Sequence, residues 1–228
     1  GLTGTHFVNA TGLPDPEHYT TAEDMAILAR HIIREFPERY SIYKTKEFTY
    51  NGIRQYNRNK LLWQDPHVDG IKTGHTESAG FCLVSSAKRD DMRLVAVVLG
   101  TDSKNARATE SQKLLTYGFR FFETHKLYDA DKPLTTAHIW KGAREKLPLG
   151  LAKTLYVTIP RGRYRDLDAS MSIDTLITAP AQKGKTYGSV NVKLDDELLL
   201  ERDLVSLQAV SEGGLWRSLV DEIRLVFE

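Results

Sequence analysis

Val68-Asp69-Gly70-Ile71-Lys72-Thr73-Gly74-His75-Thr76 is the stretch on which the reading of this chain turns. Its apolar and β-branched residues predict a strand. Lys72, Thr73 and Gly74 then set an ammonium, a hydroxyl and a residue without a side chain in one row. Such a row can bind an anionic group, and the glycine lets a ligand backbone lie close to the strand. On the tripeptide alone, a polar strand end with a glycine for a bend reads equally well. The residues that follow favour the first reading. Residues 81–87 and 92–99 are β-rich runs separated by Lys88-Arg89-Asp90-Asp91, which predicts an antiparallel hairpin directly after the strand. Residues 109–122 predict a helix, with Leu114, Leu115, Tyr117, Phe119 and Phe122 as its apolar positions.

Upstream, residues 1–14 read as extended and Gly-rich. Thr21 reads as a helix N-cap, with Asp24 completing an approximate capping box. Met25, Leu28, Ala29, Ile32, Ile33 and Phe36 are apolar at helical spacing, and Pro37 is expected to end that helix. Asn51-Gly52 predicts a tight turn between two short extended runs. Downstream the signals change near residues 125–133. Short strands are expected at 155–159, 171–177, 189–194 and, with breaks, 197–210. Gly150, Pro160, Pro180, Gly184 and Gly188 punctuate them, as in a small all-β domain. Leu215, Trp216, Leu219, Val220, Ile223, Val226 and Phe227 then fall at helical spacing on one face. The expected organisation is α+β: a first domain over 1–126, a β-rich domain over 127–213, and the start of an amphipathic helix over 214–228.

Composition narrows the function classes. The chain has 228 residues, 41% of them hydrophobic, and a formal net charge of +1, which implies no polyanionic partner such as nucleic acid. A single cysteine, Cys82, excludes an internal disulfide and a Cys-rich zinc site. It lies in an apolar run, where a buried structural thiol is expected. No apolar run approaches the ~20 residues of a membrane-spanning helix. The chain begins at Gly1 rather than Met, so a processed or partial chain is expected.

Gly12-Leu13, Asp24-Met25-Ala26, Asn57-Arg58-Asn59-Lys60-Leu61-Leu62-Trp63, Val68 to Thr76, Ala79-Gly80-Phe81, Leu94 to Gly100, Asp102-Ser103 and Arg107 together resemble one family. The chain is similar to the C-terminal two-thirds of low-molecular-mass penicillin-binding proteins, serine-type D-alanyl-D-alanine carboxypeptidases of the penicillin-binding protein 5 type. The resemblance implies a β-lactamase/transpeptidase-like catalytic domain, an antiparallel sheet with flanking helices, whose N-terminal part is missing here. A small β domain follows it. It also implies roles for particular residues. Lys72 would sit beside the catalytic serine, aiding proton transfer and placing positive charge near the reacting carbonyl. Thr73 would hydrogen-bond the substrate's terminal carboxylate, and Gly74 would let the peptide add as a strand. The backbone N–H of His75 would be one oxyanion-hole donor. Arg58 and Arg107 would help orient the carboxylate.

The family's other two motifs, Ser-x-x-Lys and Ser-x-Asn, are expected well upstream of Lys-Thr-Gly, and only 71 residues precede Lys72. Formal matches at Ser41–Lys44, Ser85–Lys88, Ser103–Asn105 and Ser189–Asn191 sit in the wrong places and read as chance. His31 reads as a helix-surface residue rather than a general base. The chain alone is therefore expected to lack the nucleophile. For the parent enzyme the resemblance implies trimming of the terminal D-Ala from peptidoglycan pentapeptides, acylation by β-lactams, and no metal or cofactor. It implies a periplasmic location, with peripheral association at the outer face of the cytoplasmic membrane. A β-lactamase or endopeptidase of the same superfamily, or a non-catalytic wall-binding module, are the alternatives.

Overall fold

The computed structural model describes residues 1–214 and 220–222. The chain divides into two compact units, Gly1–Phe122 and Glu123–Glu228.

The first unit opens with an irregular segment and then helix α1 (Ala22–Glu35), α2 (Pro37–Tyr40) and a 3-10 turn (Ser41–Lys44). Thr21 caps α1 by accepting from the Asp24 N–H at 3.1 Å. The capping box is not closed by Asp24. Its Oδ2 instead accepts from the Gly4 N–H (2.8 Å) and the Thr5 hydroxyl (2.6 Å), tying the N-terminal segment to the helix. Pro37 does not simply end a helix; it takes the first position of α2, where its missing N–H costs nothing. Strands β1 (Glu47–Tyr50) and β2 (Ile53–Tyr56) form a hairpin whose turn residues Asn51 and Gly52 have φ of 48° and 73°. Positive φ at both positions is what a two-residue hairpin turn demands.

After a short α3 (Leu61–Gln64) come β3 (Val68–Thr76), β4 (Gly80–Arg89), β5 (Met92–Thr101) and α4 (Lys104–Phe121). The three strands make an antiparallel sheet in the order β3-β4-β5. Alternation along β4 sends successive side chains to opposite faces. Leu83 and Ala87 pack with Leu115 and Phe119 of α4, together with Leu61, Leu62 and Val68. Val84, with Ile71 of β3, packs under Ala29, Met25, Ile32 and Ile33 of α1. The sheet is thus covered on both faces by helices.

Helix α4 starts at Lys104, five positions before the expected residue 109. Ser103 caps it, accepting from the Ala106 N–H at 3.0 Å. Its first turn carries no apolar stripe because Arg107 holds a buried position there. Leu114 and Tyr117 were expected among the apolar positions but are 49% and 58% exposed, since the helix turns them away from Leu115 and Phe119.

The second unit is β-rich. It contains β6 (Phe122–Tyr128), β7 (Pro133–His138), β8 (Lys146–Gly150), β9 (Leu155–Pro160), β10 (Leu167–Ile173), β11 (Thr186–Leu194) and β12 (Glu197–Ser206). Five form one antiparallel sheet in the order β10-β11-β12-β8-β7, and β6 pairs with β9. Inward residues of alternate positions, including Leu147, Leu149, Val157, Ile159, Val190, Val192 and Leu204, build one apolar cluster. Strand β10 lies four residues earlier than the expected 171–177; beyond it the Asp174 N–H leaves the ladder and bonds the Tyr187 carbonyl at 3.0 Å. The expected helix over 214–228 lies mostly outside the described residues. Within 220–222, Asp221 is buried and accepts from the Lys141 N–H at 2.7 Å.

Candidate active site

Among the described residues β3 is an edge strand: β4 pairs with one side of it, and no strand pairs with the other. That open side borders a pocket of about 1120 Å³. Residues 72–76 form one wall and the N-terminal residues Phe7, Asn9 to Pro14 and His18 form another. Arg58 and Cys82 also line it.

Several polar anchors hold β3 in place. Asp69 receives both guanidinium nitrogens of Arg93, at 2.8 and 2.7 Å, and the Tyr40 hydroxyl at 2.6 Å. Burial first, and then the bond to Asp69, push the Tyr40 phenol above its ordinary range. The buried Asn59 donates to the Gly70 carbonyl (3.0 Å) and accepts from the Leu61 N–H (3.2 Å), so it locks α3 to the strand. Asp65 ties β3's entry to α4. Burial works against its charged form, but the His67 N–H, Gln112 and Arg89 outweigh burial and hold its carboxyl below the usual range.

The expected site residues fall as follows. Lys72 is exposed at the pocket wall, with Nζ donating to the Thr73 carbonyl at 2.6 Å. Thr73 is half-buried beside it. A Cβ built on Gly74 would meet only the Cys82 Cβ, at an ordinary 3.7 Å. Nothing in the fold itself therefore requires glycine there, which leaves close approach of a ligand as its use. The His75 ring stacks on Phe81, with centroids 3.8 Å apart and planes 5° off parallel. Its Nδ1 lies 3.1 Å from the Gly80 carbonyl. A carbonyl only accepts, so Nδ1 is the donor in this contact.

Arg58 is exposed and lines the pocket. Arg107 does not. It is only 4% exposed, and its Nη1 donates to the carbonyls of Gly74 (2.9 Å) and Cys82 (3.4 Å). The cation is spent on carbonyls of β3 and β4 and contributes nothing to the pocket lining. Burial lowers its pKa, with the Cys82 charge opposing that shift and the Arg58 charge adding to it. Cys82 also departs from expectation: it is half-buried and faces the pocket. The reason is its cross-strand partner Gly74, which has no side chain to cover it.

Of the four serine motifs read as chance, the three in the first unit contribute no residue to the pocket lining. The hydroxyls of Ser41 and Ser85 donate to the Glu38 and Ala96 carbonyls, and Ser103 caps α4. Ser189 accepts from Asn191. His31 lies exposed on α1. Sequence reasoning missed Asn9, whose Oδ1 accepts from the N–H groups of Thr11 (3.2 Å), Gly12 (2.8 Å) and Leu13 (3.2 Å) and so shapes the opposite wall. An Asn three residues before a Gly-Leu turn is the available signal. Among the described residues no group of three or more His, Cys, Asp or Glu is placed to hold a metal ion. Among them, too, no helix is long and apolar enough to cross a membrane.

An open-edged Lys-Thr-Gly strand between two helical layers, followed by a β-rich unit, defines a class, and comparison with known proteins gives the same one. Residues 1–103 match the D-alanyl-D-alanine carboxypeptidase family, and residues 122–212 match the C-terminal domain of penicillin-binding protein 5. The chain is 46% identical over 229 residues to the D-alanyl-D-alanine carboxypeptidase DacA of Escherichia coli K12, covering 100% of this chain and 57% of that protein. It is 32% identical over 220 residues to DacF of Bacillus subtilis, covering 94% of this chain and 56% of the relative. The crystal structure of penicillin binding protein 5 from Haemophilus influenzae superposes with a TM-score of 0.82 at 41% identity, covering 93% of this chain and 62% of that one. The chain belongs to the low-molecular-mass penicillin-binding proteins of the D-alanyl-D-alanine carboxypeptidase family. It spans a little over half the length of these curated relatives.

Proposed function

We propose that this chain supplies the Lys-Thr-Gly wall of a serine D-alanyl-D-alanine carboxypeptidase. The observation that carries this reading is the open edge of β3, where Lys72, Thr73 and a Gly74 not required by packing face one pocket. A peptide ending in D-Ala-D-Ala lies along that edge as an added strand. Thr73 and the exposed Arg58 bind its terminal carboxylate, the guanidinium by paired hydrogen bonds. A serine attacks the penultimate D-Ala carbonyl, and the carbonyl oxygen becomes an oxyanion held by the His75 N–H. The C–N bond breaks, the terminal D-Ala leaves after accepting a proton, and water then clears the acyl-serine. Lys72 places positive charge beside the reacting centre and aids the proton transfers. β-Lactams mimic the peptide and acylate the same serine.

The serine itself lies outside residues 1–228; the absence of Ser41, Ser85 and Ser103 from the pocket lining supports this. The protein works in the periplasm, at the outer face of the cytoplasmic membrane. The apolar spacing of residues 214–228 and the family likeness support a peripheral contact there. Fluorescent penicillin provides the test. The 228-residue chain should remain unlabelled, while the catalytically complete protein should be labelled and should release D-Ala from a pentapeptide. Covalent labelling of the isolated chain would overturn the placement of the nucleophile, and absence of D-Ala release by the complete protein would overturn the activity. Co-sedimentation with anionic liposomes, with and without residues 214–228, tests the membrane contact.

A further inference from the structure

Arg107 is a buried cation whose hydrogen-bond partners are backbone carbonyls. Desolvating a guanidinium is costly, so the groups it reaches are held firmly or the arrangement would not persist. The closer of the two, at 2.9 Å, is the carbonyl of Gly74. Glycine has the least restrained backbone of any residue, so the peptide group that follows it is the loosest of the strand unless something outside holds it. That peptide group, Gly74–His75, is trans. In a planar trans peptide the C=O and N–H point in opposite directions. A guanidinium that reaches the Gly74 and Cys82 carbonyls together, where β3 meets β4, therefore sets the His75 N–H toward the opposite, open edge of β3. The next residue is steadied as well. Phe81, the register partner of His75, stacks under its ring, and the Arg107 guanidinium carbon lies 5.7 Å from the Phe81 centroid.

We infer that Arg107 is a positioning residue: through the Gly74 carbonyl it aims the His75 N–H into the pocket as an oxyanion donor. This rests on the carboxypeptidase reading above. It replaces a direct contact between Arg107 and the substrate carboxylate, and the two roles have different kinetic signatures. Loss of a carboxylate contact raises KM, whereas a misaimed oxyanion donor lowers kcat.

The test uses Arg107→Met, which removes the donors at similar length, and Arg107→Lys, which keeps one. In the 15N-labelled 228-residue chain, residual dipolar couplings report the direction of each N–H. The His75 coupling should change in Arg107→Met while those of Val84 and Leu115 stay, and Arg107→Lys should recover part of the shift. In the catalytically complete protein, Arg107→Met should lower kcat on a D-Ala-D-Ala peptide by roughly 10- to 100-fold, with KM changed by less than about threefold. If Arg107→Met does not fold, the same comparison of the His75 coupling is made on Arg107→Ala, which also removes the donors, against the unsubstituted chain. An unmoved His75 coupling overturns the inference, and so does a raised KM with kcat kept. An unsubstituted complete protein that releases no D-Ala overturns the carboxypeptidase reading and the oxyanion assignment with it; the hold of Arg107 on the His75 N–H direction is then judged by the coupling alone.

Discussion

The two units bury different things. The first encloses Asp24, Asn59, Asp65, Ser85, Ser86, Arg107 and Ser111 among two modest apolar clusters. The second is built around one continuous, largely aliphatic cluster that also holds Tyr187, and its other buried polar side chains among the described residues are Ser206 and Asp221. A buried polar group contributes little net stability when paired and costs much when left alone. It does, however, fix geometry. The first unit uses such groups to hold one edge strand at a defined place, whereas the second uses alternation of apolar residues to hold itself together.

The contrast is sharpest for truncation in the second unit. Leu149→Ala should destabilise that unit by about 2–5 kcal/mol, the usual cost of emptying a fully buried leucine site. Calorimetry should show one transition lowered, with the pocket still binding a D-Ala-D-Ala peptide. Loss of peptide binding in a folded variant would break the division of labour. Asn59→Ala should cost about 1–3 kcal/mol, because the Gly70 carbonyl and Leu61 N–H are left without their partner. Unlike Leu149→Ala, it should also disturb the amide resonances of Lys72 to His75.

Acid should affect the first unit through its two buried aspartates. The bond from Thr5, followed by the Gly4 N–H, holds the Asp24 carboxyl below the usual range, and Asp65 is lowered as well. Both are lowered in the folded state, so their stabilisation is present above the ordinary aspartate value near 4 and is lost as pH falls through the lowered folded values. A melting profile of the first unit from pH 6 downward should fall only below about pH 4, and Asp24→Asn should shrink that fall. A profile unchanged by Asp24→Asn would sink the assignment. The smallest stability effect should come from Gly74→Ala, within about 0.5 kcal/mol of the parent, since the added methyl meets only ordinary contact. Peptide binding should nonetheless weaken about tenfold or more, a change of roughly 1.4 kcal/mol. Unchanged binding would remove ligand approach as the reason for the glycine.

Much of this was legible in the sequence, and the parts that were not share a cause. Periodicity found α1, and β-rich runs found the β4–β5 hairpin, because each places apolar residues on a buried face; the β1–β2 hairpin, exposed along both strands, was legible only from the Asn51-Gly52 turn. Periodicity missed the first turn of α4, where Arg107 occupies the inward position, and it missed β7 and β8, where Pro133, Thr135, Thr136 and Pro148 dilute the alternation. At the site, Lys72, Thr73, Gly74 and His75 were visible as a motif. The roles of Tyr40, Asp69, Arg93, Asn59 and Asn9 were not, because each acts through a partner whose proximity only the fold creates. Arg107 was visible as a residue, but the Gly74 and Cys82 carbonyls that take its guanidinium were not.

Gly74 has a practical consequence through its neighbour. By leaving Cys82 uncovered, it puts the chain's single thiol on the wall of the pocket, on the strand paired with Lys72 to His75. A small environment-sensitive thiol dye on Cys82 should therefore act as a built-in gauge of occupancy. Its emission would follow ligand arrival without any engineered residue and without any chemistry having to occur.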